Sequence, residues 1–401
     1  MANSATSAAR ADFVLSFSDG DAGAASRLMG LMASSTSVLE FCFGPCLGRM
    51  SDRFGRLAFI LLGPLGLLVC DGLVSLAPVK WVVIVGQVIK GMTLTSFVTI
   101  LRGSLSDVRQ GQALAMANSR MAMYSGASII IGPLFTARLL SNLRLHYGFS
   151  AILGAVNIAM LLTKYKETLP QTERKPINWL ACNPFSFIKL FTYSRTMTTL
   201  VLAIGFQSIG EPRFAIDICS TIWRAVHNVP QQRMGNLPAV FGIFMIVAGF
   251  MGRKTIKRFG LKGHTAIANT SNFFANLVWA YDTSERGTFA SQAVMALGHR
   301  KRDGLEAMIA RLGTSSHAAT ANGKAETWGR GEVSGMLANF KSATWIVCPM
   351  IYSRAYTMGT RGARTFYGAP MVVAAAVAVL AQACVLCLPG TKAFNAECGA
   401  K

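Results

Sequence analysis

The stretch that decides the fold is Gly48-Arg49-Met50-Ser51-Asp52-Arg53-Phe54-Gly55-Arg56. Its three arginines and one aspartate separate two apolar runs, residues 26–47 and 57–78. Each run has about the 20 residues that a helix needs to cross a bilayer. The stretch therefore predicts a tight, charged loop between two membrane helices, and its arginines indicate the side of the membrane on which it lies.

The composition of the whole chain is that of a membrane protein. Of its 401 residues 52% are hydrophobic and 14% are charged, whereas about 25% are charged in ordinary soluble domains. The mean hydropathy is +0.41. Apolar runs of about 20 residues recur along the chain, and a transmembrane β-barrel would show shorter alternating segments instead. We therefore predict an all-α polytopic membrane protein with about 10–11 membrane helices.

The net charge of +21 is better explained by topology than by nucleic-acid binding. Lysine and arginine lie mainly in short connections between apolar runs, and no basic face carries interleaved aromatic residues. Counted over alternating connections, the side that contains the opening stretch is favoured by about two to one. This bias predicts that the opening stretch and the central linker face the cytosol.

The sequence shows no pattern typical of an enzyme. It has nine cysteines and five histidines, but none at a metal-ligand spacing, and no nucleophile elbow or nucleotide-binding loop. Cys384 and Cys387 lie within an apolar run, so we interpret them as small helix residues. We expect no cofactor and no metal, and the predicted partners are the lipid bilayer and a small-molecule solute, with a proton or another ion as a coupling ion.

The order of apolar and polar segments predicts two membrane halves around a linker. Three prolines, Pro170, Pro176 and Pro184, argue against one continuous helix in that linker. The predicted segments are a polar N-terminal segment (1–25), an N-terminal transmembrane half (26–163), a cytoplasmic linker (164–195), a C-terminal transmembrane half (196–390) and a tail (391–401).

The two halves repeat each other at corresponding places. Asp52-Arg53-Phe54-Gly55-Arg56 follows the first span, and Lys257-Arg258-Phe259-Gly260-Leu261 follows the corresponding span of the second half, within a predicted basic loop, residues 253–262. A looser correspondence pairs Gly132-Pro133 with Cys348-Pro349. Both are what a duplicated transporter with parallel halves would show.

Three motifs resemble the major facilitator superfamily. The opening stretch resembles the cytoplasmic signature between its second and third helices, and Lys166-Glu167-Thr168-Leu169-Pro170 resembles the motif that follows its sixth helix. Residues 329–335, followed by Cys348-Pro349, resemble the start of the eleventh helix in the tetracycline-resistance-like branch. The resemblance covers roughly residues 26–390 and implies a fold of two pseudo-repeat helical halves.

The resemblance also assigns places in the family's order of helices. The first span corresponds to the second helix, so the first helix is missing or represented only by the polar N-terminal segment. The stretch near residues 287–312 corresponds to a degenerate tenth helix, because a run of charged residues, His299 to Asp303, interrupts it.

The opening stretch supplies the candidate gating residues. Its glycines permit tight backbone reversals, and the carboxylate of Asp52 can pair with an arginine or with helix N-terminal amides. The resemblance implies a contact that forms in one conformation of a transporter and breaks in the other; the alternative is a solvated loop that only sets topology. The candidate gating residues are Gly48, Asp52, Arg53, Gly55 and Arg56.

Four charged residues inside predicted spans are candidates for a cavity or for ion coupling. Glu40 lies about 12 Å from the opening stretch along its helix, and Lys90 lies near the middle of a span, about one turn after the position where resembling members carry an arginine. Arg120 and Lys341 lie at similar places in the two halves. Charges at membrane depth are costly, which favours a function. For Glu40 the alternative is a side chain that snorkels or is neutralised by a partner, and for Arg120 and Lys341 pairing with carbonyls or acids is an equally good explanation.

Helix interruptions give the remaining candidates. Gly132 and Pro133 resemble the glycine–proline signature of exporters but lack its trailing glycine pair, and a packing kink explains them as well. Glu211-Pro212-Arg213 predicts a helix terminus, and we interpret Asp71 as structural.

The sequence thus predicts an integral multi-pass membrane transporter, secondary-active or facilitative, that moves a small solute by alternating access. The competing hypothesis is a non-transporting relative that acts as a receptor or scaffold.

Overall fold

The protein is described by a computed structural model that covers residues 6–108, 111–140, 142–174, 183–313, 328, 330–361 and 365–398. Every regular element in these ranges is a helix, which confirms the predicted all-α fold. Pro176 in the linker and Gly329 in the third motif lie outside the described residues.

The described residues up to 164 contain the helices α1 to α6. The helix α3 is built from three α-helical pieces and one π-helical turn, Leu67–Asp71. The helices are α1 (Ser7–Ser16), α2 (Ala22–Phe54), α3 (Arg56–Leu76), α4 (Lys80–Val108), α5 (Gly111–Leu139) and α6 (Leu143–Lys164).

Among the described residues after 164 there are ten further α-helices, and the first of them, α7, lies within the predicted linker. They are α7 (Lys189–Tyr193), α8 (Arg195–Ile209), α9 (Pro212–Ala225), α10 (Gln231–Met234), α11 (Asn236–Tyr281), α12 (Glu285–Val294), α13 (Asp303–Gly313), α14 (Arg330–Thr360), α15 (Ala369–Cys387) and α16 (Thr391–Glu397).

Five stretches of the described residues are long and apolar enough to cross a membrane. The longest, Gln231–Tyr281, has 51 residues, more than twice the about 20 that one crossing needs. The first predicted span, residues 26–47, falls within α2, which is not among the five. The five stretches are Arg56–Leu76, Lys80–Leu105, Leu143–Lys164, Gln231–Tyr281 and Ala369–Cys387.

The chain forms two compact units. The first consists of Met1–Asn183 together with Ile216–Ile243, and the second of Pro184–Ala215 together with Phe244–Lys401. The chain therefore passes between the units three times, between Asn183 and Pro184, within α9 and within α11. The predicted domain boundaries, which place one linker between two continuous halves, stay a prediction.

The opening stretch is not the loop that the sequence predicted. The helix α2 continues through Gly48 and Asp52 to Phe54, and the only interruption before α3 is Gly55, with φ 105° and ψ 159°. Gly48 stays helical, and a Cβ there would meet nothing within 4 Å. The reason is that a single residue in a conformation reserved for glycine is enough to redirect the chain.

The predicted basic loop of the second half, residues 253–262, is likewise helical. The helix α11 runs through it, and only Gly260 leaves helical geometry, with φ 68° and ψ −178°. The polar segment after Glu211 is also more helical than predicted, because α9 continues to Ala225. The predicted terminus at Glu211-Pro212 is confirmed, since α8 ends at Ile209 and α9 begins at Pro212.

Small residues bring α3, α4 and α6 into close contact in the first unit. A Cβ on Gly66 would lie 2.1 Å from the Thr93 hydroxyl oxygen, and a Cβ on Gly154 would lie 2.9 Å from the carbonyl oxygen of Pro64. Without a hydrophobic drive between helices in lipid, such close backbone approach is a main source of helix association.

The polar N-terminal segment contains a helix that hydropathy alone did not reveal. In α1 the side chains of Ala9, Phe13 and Val14 are buried, and Phe13 packs on Tyr147 of α6 with ring centroids 5.5 Å apart. Its two charged residues form ion pairs within the first unit, Arg10 with Asp217 and Asp12 with Arg224 of α9.

The second unit is built around one apolar core and contains the degenerate crossing. Side chains from α8, α13, α14 and α15 share that core, among them Leu200, Ile309 and Val385. The degenerate crossing is two short helices, α12 and α13, with a 3₁₀ turn at Gly298–Arg300 between them. The predicted interruption at His299 to Asp303 therefore coincides with the observed break.

Candidate functional site

Arg56 is the centre of a charged cluster at the junction of α2 and α3. Its guanidinium lies 2.6 Å from Asp52 Oδ1, and it contacts both carboxylate oxygens of Asp107 on α4, at 2.9 and 3.2 Å. It also donates to Ser51 Oγ at 2.8 Å. The Arg56 side chain is 11% exposed, so these charge-assisted bonds form in a largely dehydrated place, where they are strongest.

Glu167 fixes the backbone at the same junction. Its Oε1 accepts a hydrogen bond from the Arg56 N–H at 2.9 Å, and its Oε2 accepts one from the Leu57 N–H at 3.1 Å. These are the first two amides of α3, which have no partner within the helix. A carboxylate at a helix N-terminus satisfies them and interacts favourably with the helix dipole.

The segment after α6 holds Glu167 in place. Oε1 of Glu167 also accepts from the amides of Thr168 at 3.1 Å and Leu169 at 3.2 Å. Burial alone would raise the pKa of the Glu167 carboxyl, but the amides of Arg56, Leu57, Leu169 and Thr168 outweigh it and lower that pKa. Glu167 is therefore a carboxylate that holds two chain segments together.

Hydroxyl groups connect the remaining members of the cluster. Thr168 Oγ1 donates to Asp107 Oδ2 at 3.3 Å and lies 3.0 Å from Ser104 Oγ, which in turn lies 2.6 Å from the Tyr165 hydroxyl. Two motifs that are more than 100 residues apart in the sequence thus share one network. We call this network the hinge cluster: Ser51, Asp52, Gly55, Arg56, Ser104, Asp107, Tyr165, Glu167 and Thr168.

The contacts of Gly55 show why no larger residue fits there. A Cβ on Gly55 would lie 2.8 Å from Glu167 Oε2 and 3.0 Å from Arg174 Nη2. Of the other candidate gating residues, Arg53 is exposed and has no ion pair among the residues described. The candidate set from the sequence is thus divided: Asp52, Gly55 and Arg56 lie in the hinge cluster, whereas Gly48 and Arg53 do not.

Sequence reasoning missed two central members of the cluster. Glu167 is part of the second motif of the resemblance, but the sequence does not connect it with Arg56, and it gives no candidate role to Asp107. A signal was present: both are acids at the ends of spans on the side predicted to be cytosolic, and the opening stretch has more arginines than acids to pair with them.

Glu40 lies inside the first unit and is 5% exposed. Its Oε1 accepts a hydrogen bond from Thr95 Oγ1 of α4 at 2.6 Å. This contact joins α2 to α4 and shows that the carboxylate is bonded at membrane depth, as a buried polar group must be.

Lys90 is fully buried and paired. Its Nζ lies 2.7 Å from Asp71 Oδ1, donates to Thr6 Oγ1 at 3.3 Å and stands 5.5 Å above the ring of Tyr147. The other oxygen of Asp71 accepts from Ser150 Oγ at 2.6 Å. Asp71 is at the end of the π-helical turn of α3, a distortion that is common at functional sites. The charge of Lys90 is thus matched within the first unit.

The two remaining charged candidates differ in what can be said of them. Lys341 Nζ on α14 lies 3.0 Å from Glu306 Oε1 on α13. Arg120 is on α5, but its side chain lies outside the described residues. Cavity and coupling roles for Glu40, Lys90, Arg120 and Lys341 stay predictions.

The pair Gly132-Pro133 lies at a close contact of the first unit. Both residues are buried within α5, and Thr136 Oγ1 donates to the Gly132 carbonyl oxygen at 3.1 Å. A Cβ on Gly235, at the start of the long apolar stretch Gln231–Tyr281, would lie 2.4 Å from the Pro133 carbonyl oxygen. The pair therefore packs closely against that stretch, in agreement with the packing interpretation.

Comparison with known families and proteins gives a consistent result. A model of the Major Facilitator Superfamily matches residues 5–284. The class C tetracycline resistance protein of Escherichia coli is 25% identical over 370 residues, which cover 90% of this chain and 86% of that protein. The class D protein of Salmonella ordonez is 24% identical over 350 residues, 83% of this chain and 81% of that protein.

Solved structures share the fold at lower identity. The human organic anion transporter MFSD10 superimposes with a TM-score of 0.67 at 14% identity, over 95% of this chain and 97% of that one. A mutant of the nucleoside transporter NupG gives a TM-score of 0.71 at 11% identity, over 97% of this chain and 100% of that one. These two likenesses concern the fold alone.

Proposed function

Because the chain belongs to the major facilitator superfamily, as a multi-pass transmembrane transporter of its tetracycline-resistance-like branch, we propose that it moves a small solute by alternating access. The solute would bind while the protein is open to one side and leave while it is open to the other. A solute gradient or an ion gradient would supply the free energy. The family membership also makes it a transporter rather than an enzyme.

The observation that carries this proposal is the hinge cluster. Arg56 is held by carboxylates from two helices, Asp52 and Asp107, and the first turn of α3 is held by Glu167. The junction between α2 and α3 is thereby fixed by several charge-assisted bonds around one glycine. Such a set of bonds can form as a unit in one conformation and break as a unit in another, which is what a two-state transporter requires.

The solute class is proposed from the relatives. Two of the proteins compared above are named for resistance to tetracycline, and resistance by a transporter means removal of the drug. We therefore propose outward transport of small organic molecules, with tetracycline as the probe. The cations Lys90 and Lys341 give little support for an anionic solute, because Asp71 and Glu306 already balance their charges.

The test is exchange of labelled tetracycline across vesicles that contain the purified protein. Wild-type protein should exchange the probe, and Asp52→Asn should reduce the rate by at least about tenfold, which corresponds to about 1.4 kcal/mol. Arg49→Gln is the matched control, because Arg49 is exposed on the same helix, one turn before Asp52, and it should leave the rate unchanged.

The competing function is a membrane receptor or scaffold that does not transport. The break in the degenerate crossing between α12 and α13 favours it, because that crossing lacks one continuous membrane helix. Correctly folded wild-type protein that exchanges no tetracycline and no other labelled compound from a panel of small organic molecules would contradict transport and support this alternative.

A further inference from the structure

Two helix interruptions of the second unit meet at one buried place. The helix α8 ends at Ile209, and Gly210 and Glu211 separate it from α9. The crossing formed by α12 and α13 is interrupted at His299 to Arg302. An interrupted helix leaves carbonyl groups without amide partners, and inside a membrane each of them needs a donor.

Lys301 supplies such a donor. Its Nζ donates to the Gly210 carbonyl oxygen at 2.8 Å, and the residue is only 4% exposed. The surroundings are tightly packed: a Cβ on Gly210 would lie 3.2 Å from Val377 Cγ2, 3.6 Å from Lys301 Nζ and 3.7 Å from the Ala374 carbonyl oxygen. Gly210, whose carbonyl oxygen Lys301 contacts, is therefore tightly packed against neutral groups of α15.

Its charged neighbours are balanced, whereas Lys301 is not. Arg302 forms an ion pair with Glu211, and Arg300 lies 3.5 Å from Asp303 Oδ2. Among the described residues, no carboxylate lies within ion-pair distance of Lys301. A buried charge without a counter-charge is costly and normally loses its charge or acquires a partner.

The backbone around Lys301 is held by neutral side chains. Gln207 Nε2 on α8 donates to the Lys301 carbonyl oxygen at 3.1 Å and to Asn269 Oδ1 on α11 at 2.8 Å. His264 Nε2 lies 3.2 Å from the Arg300 carbonyl oxygen. These contacts fix the interrupted backbone whether or not the Lys301 side chain carries a charge.

Three further polar atoms of this region are buried without a partner in the described part of the chain. They are Gln207 Oε1, Ser208 Oγ and Asn269 Nδ2, and each residue is at most 2% exposed. Together with the bonds of Gln207, these atoms make the surroundings of the Lys301 backbone polar although they are buried.

The ionisable groups around Lys301 belong to four segments of the chain. On its own segment they are His299, Arg300, Arg302 and Asp303, with Glu306 one turn further on, and at the end of α8 the group is Glu211. The helix α11 contributes His264, and α14 contributes Lys341, which pairs with Glu306. The helix α15 faces Gly210 with Val377 and Ala374, which do not ionise.

We propose that Lys301 is a proton-binding residue of this transporter, and that its proton controls the interruption between α8 and α9. This inference rests on the proposed transport function. The ammonium form donates a hydrogen bond to the Gly210 carbonyl oxygen. Release of one proton to water leaves a neutral amine, and no other covalent bond is made or broken. A proton is the ligand that fits, because the tight packing leaves little room for a larger one.

Loss of the proton has a direct structural consequence. The Gly210 carbonyl oxygen then accepts from a neutral amine, which is a weaker donor than an ammonium group. The pair of Arg302 with Glu211 and the bond from Gln207 to the Lys301 carbonyl oxygen remain. The helix α9 begins two residues later and carries the chain from the second unit into the first within its first turns. The proton on Lys301 thus acts close to the start of a helix within which the chain passes from one unit to the other.

The first experiment needs no solute. Protein labelled with ¹³C at the ε carbon of lysine is titrated in detergent micelles by NMR, and the Lys301 signal is identified by its absence from Lys301→Arg. A signal that moves between pH 6 and 9 supports the inference, whereas one that stays unchanged over this range overturns it. The signal of Lys254, which is exposed, is recorded in the same sample as the reference.

The second experiment separates coupling from transport. With coupling of one proton per solute, a gradient of one pH unit corresponds to about 1.4 kcal/mol and drives about tenfold accumulation. In the vesicles with the tetracycline probe, Lys301→Met should abolish this accumulation and keep exchange without a gradient. Lys254→Met should keep both, and Lys301→Gln is the second variant if Lys301→Met does not fold.

The outcomes distinguish the two proposals. Equal gradient-driven accumulation by Lys301→Met and wild type, or none by an actively exchanging wild type, overturns proton coupling through Lys301 and leaves alternating access intact. No exchange by wild type counts against the proposed function, and the NMR titration still decides whether Lys301 binds and releases a proton.

Discussion

Gly55 and Gly260 interrupt long helices at corresponding places of the two sequence halves, yet their surroundings differ. Both have a backbone conformation that is essentially reserved for glycine, with φ 105° at Gly55 and 68° at Gly260. A Cβ on Gly55 would collide with Glu167 and Arg174, whereas a Cβ on Gly260 would meet nothing within 4 Å. The repeat thus preserves the break in the backbone and not the contacts around it.

The difference follows from charge. In the first half Asp52 precedes the glycine and pairs with Arg56. The corresponding residue of the second half is Lys257, which is exposed, and Arg258 stacks on the neighbouring ring of Phe259 at 5.4 Å. A basic side chain cannot take the place of a carboxylate that accepts from arginine. The comparison teaches that, among the described residues, a charged cluster stabilises only the break at Gly55.

The largest effect should come from adding a methyl group at each glycine. Gly55→Ala meets both backbone strain, about 1–3 kcal/mol, and the collision with Glu167, whereas Gly260→Ala meets the strain alone. Thermal unfolding in detergent should therefore place Gly55→Ala below Gly260→Ala. Equal melting temperatures for the two variants would show that the close contacts at Gly55 add nothing to the cost of the substitution.

A smaller loss is expected when one carboxylate of the hinge cluster is neutralised. Asp107→Asn removes the two-point contact with the largely buried Arg56, so unfolding should become easier by about 2 kcal/mol. Asp303→Asn is a matched control, because its contact with Arg300 is half-exposed and 3.5 Å long, and exposed pairs contribute about 0–1 kcal/mol. The expectation fails if Asp303→Asn is the more damaging of the two changes.

The smallest effect is a pH dependence. The folded protein lowers the pKa of Glu167, so the stability it contributes is fully present above its ordinary pKa of about 4.3. That contribution is lost as the pH falls through the lower folded value. Melting temperatures between pH 7 and 3.5 should therefore fall more steeply for wild type than for Glu167→Gln, and parallel curves would contradict this role.

Much of this arrangement could be predicted from the sequence, because apolar length and charge placement are local signals. The long apolar runs, the interruption at His299 and the helix terminus at Pro212 follow from them. The continuation of α2 through Asp52 did not, because a single glycine can redirect a chain that otherwise stays helical. The pairing of Arg56 with Asp107 and Glu167 depends on packing between α3, α4 and the segment after α6, which local pattern does not encode.

Two other features could not be predicted from local sequence patterns either. The helix α1 has few strongly apolar residues, so hydropathy gave no sign of it, although its buried side chains pack in the first unit. Lys90 looked like a cavity charge from its depth alone, and the partner that balances it, Asp71, comes from another helix.

The comparison of the two glycine breaks is tested most directly by probe exchange in vesicles for Asp52→Asn and Lys257→Asn, two changes at corresponding positions. If the hinge cluster is the two-state element, Asp52→Asn should slow exchange by at least about tenfold while the protein stays folded, and Lys257→Asn should leave the rate close to that of wild type. Equal rates for the two variants would contradict the central claim that the first break alone is held by charge.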